Sequence, residues 1–472
     1  MEEQNTRHQY YLIIRKEFRT ILRDGRLWWI FGVFLVLLTT SAFVSSNYQA
    51  NVSKQRKLAG AASRQHWESQ EDKNPHSAAH FGIFLFQPDA PLAFIEPGVR
   101  QYTGTSIYLE PHRRNEMQFN AAQDSGSSFR FGYLTPGFLG LYILPLLVIL
   151  TGYGCVAYER ERRTLRYTLS AGAGMKTILI SKWLTLAIIT VLFSLPILLL
   201  SIALLPDGTS GSIGEVMFLY GVYLAHAFIY VNVAALISSF SPRTSTAFIS
   251  LLAVWMIMTL AVPRLASVVA STAYPLPKLK EFQDAIVADK ELVNGHGGAW
   301  SDVLLQETLK KYGVDSVQQL PFNFAGLRLE VGEERETELY KKYYSRLDQK
   351  RNDQENVYNW FGLLSPLLSF RNLAMATAGT DAYNHHHFEH AAEKYRYEFV
   401  QILNRDVKTN SRTGDNYYAD TSLWKKIPHF QYSPPSALRS IMEHKTSIAM
   451  SIAWLFITLI ILFISPRFIP NE

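Results

Sequence analysis

The sequence predicts a mostly α-helical, polytopic membrane protein. It has six transmembrane helices, an N-terminal amphipathic elbow helix, and an α-rich extracytoplasmic domain with some β structure built from two insertions. Three observations carry this. First, six uncharged stretches are long enough to cross a bilayer, bounded by Arg26 and Lys54, Arg130 and Glu159, Lys182 and Asp207, Glu215 and Arg243, Arg243 and Arg264, and Lys445 and Arg467. Second, Lys and Arg crowd one set of the short segments between them. Third, two long polar segments, 46–132 and 265–445, interrupt the apolar runs and together exceed half the chain.

Composition agrees. Over 472 residues the 48% hydrophobic and 18% charged fractions average two kinds of sequence, greasy runs and ordinary polar stretches. The net charge of +6 is modest, and its placement matters more than its size. The single cysteine, Cys155, excludes an intrachain disulfide and says nothing about compartment. The N-terminus is no secretory signal: its charged region is too long, and no small-residue cleavage site follows the apolar run.

The first element, 1–26, contains YYLIIRKEFRTILRDGRLWW and carries Arg15, Lys16, Arg19, Arg23 and Arg26. At 100° per residue Tyr11, Ile14, Phe18, Ile21 and Leu22 share one arc, the basic residues the next, and Glu17 and Asp24 the opposite flank. This is the form of a helix lying in a membrane interface, with Gly25 expected to allow a bend before the first span at 27–45. The second span covers 133–157, the third to fifth lie within 181–264, and the sixth covers 446–466. Because 158–180 is rich in Lys and Arg while the 207–215 turn DGTSGSIGE has none, both termini, including the 467–472 tail, are expected in the cytoplasm and both long insertions outside.

The 158–180 segment contains ERERRTL, in which Glu159, Arg160, Glu161, Arg162 and Arg163 alternate in charge before Thr164 and Leu165; Leu169 follows Leu165 at helical spacing. It reads as a compact charged helix suited to docking into another protein. AGAGMKT at 171–177 is not a phosphate loop, since Met175 stands where the second Gly is required. No nucleotide site is visible. Within the spans His226 and Asn232 are polar at membrane depth, where such residues line a path or bind neighbouring helices. Pro145 and Pro196 are expected to kink the second and third helices.

The insertions are expected to form one compact domain. Residues 47–72 read as a stalk continuing the first helix, FGIFLF and SIYLE as strands, 332–361 as one long polar helix, and 383–404 as another capped by Asp381 or Asn384; HGGAW marks a loop. His76 and His80, and likewise His386 and His390, lie one helical turn apart. Two imidazoles at that spacing could share a metal, but neither pair has further ligands nearby in sequence. Structural or surface histidines are the default reading unless His76, His80, His112 and His386 converge in space.

RKEFRTILRDGR, then LPLLVILTGYG followed by ERERRTL, then a Gly/Ser turn and SKWL, resemble the type-2 ABC transporter permease family. The family's second motif is commonly Glu-Arg-Glu-Gly-Thr-Leu; here Arg163 replaces the Gly, while Glu159, Glu161, Thr164 and Leu165 match. Residues 74–115 and 385–404 resemble a bacterial branch with large extracytoplasmic insertions. The resemblance implies a non-catalytic permease in the bacterial cytoplasmic (inner) membrane. It would pair with a second permease, identical or paralogous, and with two separate ATPase subunits that carry ATP and Mg; this chain would hold no cofactor. The segment near 159–170 would be the coupling helix and the first helix an elbow against membrane lipid. An exporter is the expected function, with the alternative that the ATPase drives the outer domain to act on a periplasmic partner without transport. Nucleic acid is not an expected partner. An intramembrane or periplasmic enzyme is poorly supported, because no His/Asp/Glu set lies at membrane depth.

Overall fold

The computed structural model describes residues 2–118, 134–206, 213–294 and 299–469. The 207–212 part of the expected outer turn, residues 119–132 of the first insertion, positions 296–298 of HGGAW and the 470–472 end of the tail lie outside the described residues.

Six described helices are long and apolar enough to cross a membrane: Gly25–Glu68, Pro136–Glu161, Met175–Ala203, Ile213–Phe240, Thr244–Ala273 and Lys445–Arg467. An apolar helix without a preferred face belongs in the middle of a bundle. Ile213–Phe240 is such a helix, and it packs against the second, third, fifth and sixth spans. Ala227, Ala234 and Ala235 along it are fully buried, and small residues let neighbouring backbones approach. Gly152 in the second span makes room for side chains of the third and fourth, since a Cβ there would lie 2.6 Å from Leu186 Cδ2 and 3.2 Å from the Ala234 Cβ.

Local rewinding accompanies two of the prolines in the spans. A π-helical turn, Leu139–Ile143, precedes Pro145, and another, Ile257–Ala261, precedes Pro263. A proline cannot donate to the preceding turn, and a wide turn accommodates the lost bond. Pro196, by contrast, sits inside the unbroken helix Met175–Ala203. The fifth span also continues past Arg264 to Ala273 rather than ending at the charge.

At the chain start, helix Glu2–Leu22 stops and the next begins at Gly25, with the Asp24 side chain accepting from the Arg26 N–H. The break therefore falls at Arg23–Asp24, not at Gly25, because a capping carboxylate ends one helix and starts the other. Gly25–Glu68 then runs for 44 residues without interruption, about 66 Å at 1.5 Å per residue.

Its far end enters a second core. Fully buried Trp67 donates its indole N–H to the Trp424 carbonyl at 3.0 Å and packs edge-on against Phe399. The antiparallel hairpin β1 (Ile83–Phe86) and β2 (Ser106–Leu109), paired Ile83 with Leu109 through Phe86 with Ser106, adds Ile83, Leu85, Ile107 and Leu109 to that core. Helix Ala382–Asn410 supplies Phe388, Phe399 and Leu403 and runs antiparallel to the 37-residue helix Phe324–Trp360. Both helices exceed their expected bounds of 383–404 and 332–361. Asp381 caps Ala382–Asn410 by accepting from the Asn384 N–H.

One element corrects the expectation that 265–445 lies wholly outside the bundle. Helix Pro366–Ala378 is almost entirely buried, and Leu367, Phe370, Leu373 and Ala374 join the core of the spans. It ends at Gly379 in the left-handed region (φ 66°), the usual glycine helix stop. At 13 residues it is too short to cross a bilayer, so a search for spans passes over it.

Candidate functional site

The expected coupling segment forms two short helices, Ala157–Glu161 and Leu165–Ser170, rather than one. Arg163, between them, takes a positive φ of 61°. This is the position where the resembled family has Gly, and left-handed backbone is the conformation that favours Gly.

The acidic and basic residues of ERERRTL divide into two roles. Glu159 is buried and meets Lys182 Nζ at 3.2 Å and Lys16 at ion-pair distance. Lys182, buried in the third span, also lies 2.7 Å from Glu17 of the N-terminal helix, and Lys16 lies 3.1 Å from Glu17. Two cations and two carboxylates thus cancel where three elements meet. Buried Arg160 donates to the Ser239 and Ser241 carbonyls at the end of the fourth span. Glu161 accepts from the Thr244 N–H at 3.0 Å and its hydroxyl at 2.7 Å, capping the fifth span. Leu165 is buried with Ile13, Val156, Ile178 and Leu462. Arg162, Arg163 and Thr164 stay exposed, as do Arg166 and Tyr167.

The N-terminal helix faces the bundle differently from the wheel. Among its described side chains Ile13 and Glu17 are the buried positions, whereas Tyr11 and Leu22 are 58% and 44% exposed. Glu17 is therefore no solvent-facing flank: its partner Lys182 draws it inward, which helical periodicity cannot reveal. Arg15, Lys16, Arg19, Arg23 and Arg26 remain exposed, with Phe18 half-buried. Arg26 pairs with Asp24 at 2.9 Å.

Of the polar residues in the spans, Asn232 is a helix contact. It accepts from the Trp183 indole at 2.8 Å and donates to Thr458 Oγ1 at 2.9 Å, joining the third, fourth and sixth spans. His226 is fully buried between the Tyr230 and Phe370 rings, their centroids 5.4 and 5.3 Å away. Where the long first helix leaves the bundle, Val44, Tyr48, Arg56, Arg100 and Leu134 line a cavity of about 520 Å³. Buried Arg100 donates to the Pro88 carbonyl at 2.5 Å, and burial next to Arg56 lowers its pKa to about 9.

The histidines of the insertions separate. His76, His80 and His112 converge, their ligand atoms all within 4.8 Å of one another. His386 and His390 lie apart from them: His386 Nδ1 faces Glu389 at 3.0 Å, and His390 faces Asp348 at 3.6 Å. His112 has no helical partner in sequence, so spacing alone pairs it with neither set. Burial pushes the His76 imidazole down to about 4, despite its hydrogen bond with Asn404, and His80 is lowered by burial and by His112.

Six apolar helices, and a globular domain built from the segments between them, define a multi-pass membrane protein. Residues 99–281 match the family model described as ABC-2 family transporter protein, and residues 282–433 match a domain of unknown function, DUF3526. The part of the chain that holds the second to fifth spans is thus similar to ABC-2 family transporter proteins. No curated protein matches the sequence.

Proposed function

We propose that the chain is the permease subunit of an ATP-driven exporter in the bacterial inner membrane, with both termini cytoplasmic. It would dimerise with a second permease and couple to separate ATPase subunits through residues 159–170. The observation that carries this reading is the four-charge cluster of Lys16, Glu17, Glu159 and Lys182. It joins the N-terminal helix, the 157–170 segment and the third span into one unit, so a push on the segment would reach the spans. The surface left for a negatively charged partner groove is Arg162, Arg163, Arg166 and Tyr167. Glu159 and Glu161, first read as docking residues, would instead hold that surface in place. The cavity beside Arg56 and Arg100, with Val44 and Leu134 in its wall, suits an amphiphilic cargo with an anionic head.

The test is co-purification with the neighbouring ATPase and ATPase stimulation by candidate amphiphiles in nanodiscs. Arg162→Glu with Arg166→Glu is expected to abolish docking while the permease still folds. Docking that survives the double reversal refutes the coupling assignment.

A second reading has its own support. The unbroken helix Gly25–Glu68 is a rod of about 66 Å that ends on Trp424 and Phe399. Such a rod would let the ATPase move the outer domain against a periplasmic partner with no cargo crossing. Insertion of two glycines near Ser53 separates the readings: transport through the bundle would survive it, and mechanical transmission would not.

A further inference from the structure

We propose that His76, His80 and His112 form a binding site for a divalent metal of the zinc class, at the seam between the two insertions. His76 and His80 lie on the short helix Pro75–Ala79 and at its end, and His112 follows β2. The groups behind them come from the second insertion: Glu333 and Glu336 on Phe324–Trp360, and Asn404 on Ala382–Asn410.

The argument rests on which ring nitrogens carry protons. His112 Nδ1 lies 3.2 Å from Glu336 Oε2 and 3.4 Å from Glu333 Oε2. Lys290 holds Glu336 at 3.0 Å and Arg396 pairs with Glu333, so both carboxylates act as acceptors. His112 Nδ1 must then be the donor. His76 Nδ1 lies 2.9 Å from Asn404 Oδ1. The Asn404 amide orientation is set by its Nδ2, which donates to the Leu329 carbonyl at 3.3 Å, so Oδ1 is an acceptor and His76 Nδ1 donates to it. With both Nδ1 atoms donating, the two Nε2 atoms face each other across 3.2 Å, and in neutral rings each would present a lone pair to the other.

Two facing lone pairs repel unless a cation lies between them. Two imidazole nitrogens on one tetrahedral zinc, each about 2.0–2.1 Å from the metal, are separated by about 3.3–3.4 Å. The observed spacing is close to that. A ligating histidine whose other nitrogen donates to a carboxylate or carbonyl is the arrangement that outer-shell partners of zinc adopt. His80, exposed, brings a third imidazole from the solvent side, its ring centroid 5.0 Å from His76 and 5.6 Å from His112. His112 also holds a positive φ of 62°, kept there by its N–H donating to Glu333 and its carbonyl accepting from Lys290 and Tyr340. Backbone held in a sparsely populated region is the kind of strain found at ligand sites.

The test uses the full chain in detergent, stripped by a chelator and titrated with Zn²⁺ against a competing indicator. One zinc per chain is expected, with X-ray absorption showing imidazole nitrogens at about 2.0–2.1 Å. His80→Ala removes only an exposed ring, so the fold should persist, and affinity should fall by more than about 100-fold. Asn404→Ala, acting from the outer shell, should lower it by about 10–100-fold. His386→Ala with His390→Ala should leave it unchanged. The proposal is overturned if no stoichiometric zinc binds at micromolar free metal, the result if a proton rather than a metal bridges His76 and His112. It is equally overturned if His80→Ala and His112→Ala both bind zinc as the unaltered chain does.

Discussion

Lys182 Nζ, buried in the third span, sits 2.7 Å from Glu17 of the N-terminal helix and 3.2 Å from Glu159 of the 157–170 segment. One ammonium therefore neutralises carboxylates from two other elements. Removing one member of a buried ion pair strands its partners without compensation, at a cost of about 3–5 kcal/mol. Lys182→Met is expected to destabilise the protein by that amount in thermal unfolding in detergent, and Glu17→Gln combined with Glu159→Gln in the Lys182→Met background should recover most of it. A single Lys182→Met as stable as the parent would show that the cluster does not hold the N-terminal helix.

Arg163 gives a sharper local test. A non-glycine residue in the left-handed region stores about 1 kcal/mol, more when the side chain is β-branched. Arg163→Gly removes that strain but loosens the unfolded chain, so its stability should stay within about 1 kcal/mol of the parent. Arg163→Val should cost about 1–3 kcal/mol. Equal melting temperatures for Gly and Val would show that the turn relaxes out of positive φ.

Asn232 links three spans through Trp183 and Thr458. Hydrogen bonds between membrane helices contribute on average about 0.6 kcal/mol each, so Asn232→Leu should cost about 1 kcal/mol by chemical unfolding. Transport, measured in proteoliposomes, should change little. A loss of transport with unchanged stability would place Asn232 on a cargo path.

Trp67 anchors the far end of the long first helix. Truncating a fully buried aromatic leaves a cavity, and Trp67→Ala should destabilise the insertion domain by about 3–5 kcal/mol. Limited proteolysis should then open the 70–110 and 410–430 segments before the spans.

His444, just before the sixth span, lies 2.7 Å from Asp381 Oδ2 and 3.9 Å from Glu355. Burial by itself lowers the imidazole pKa, but the hydrogen bond and charge of Asp381 outweigh it, and the group stays protonated above its usual value. A raised folded-state pKa contributes stability that is fully present below about pH 6.5 and is lost as pH rises through the folded value. The difference in melting temperature between the parent and His444→Gln should therefore be largest near pH 5.5 and shrink toward pH 8.5. A difference that grows with pH would have the wrong sign for this pair.

The apolar spans and the long polar helices were legible because their signals are local. Runs without charge, a capping Asp381 and the β-favouring run FGIFLF each follow from neighbours in sequence. What escaped was set by residues far apart in the chain. Glu17 read as a surface flank until Lys182, 165 positions away, drew it inward. Glu159 read as docking charge until the same lysine and Lys16 buried it. Pro366–Ala378 was too short to count as a span, and its burial depends on the fourth and sixth spans beside it.

The histidines divide in the same way. Helical spacing proposed His76 with His80 and His386 with His390 on equal terms. Only the packing of β2 against Ala382–Asn410, and of the residue His112 after it against Phe324–Trp360, brought His112 to the first pair and left the second pair beside Glu389 and Asp348. Sequence by itself determined which segments are apolar enough for a membrane, and so the architecture, because hydrophobicity and helix periodicity are summed over adjacent residues. Tertiary structure decided which charges are buried and which imidazoles meet. Those interactions act over a few ångströms in space, whatever their separation along the chain.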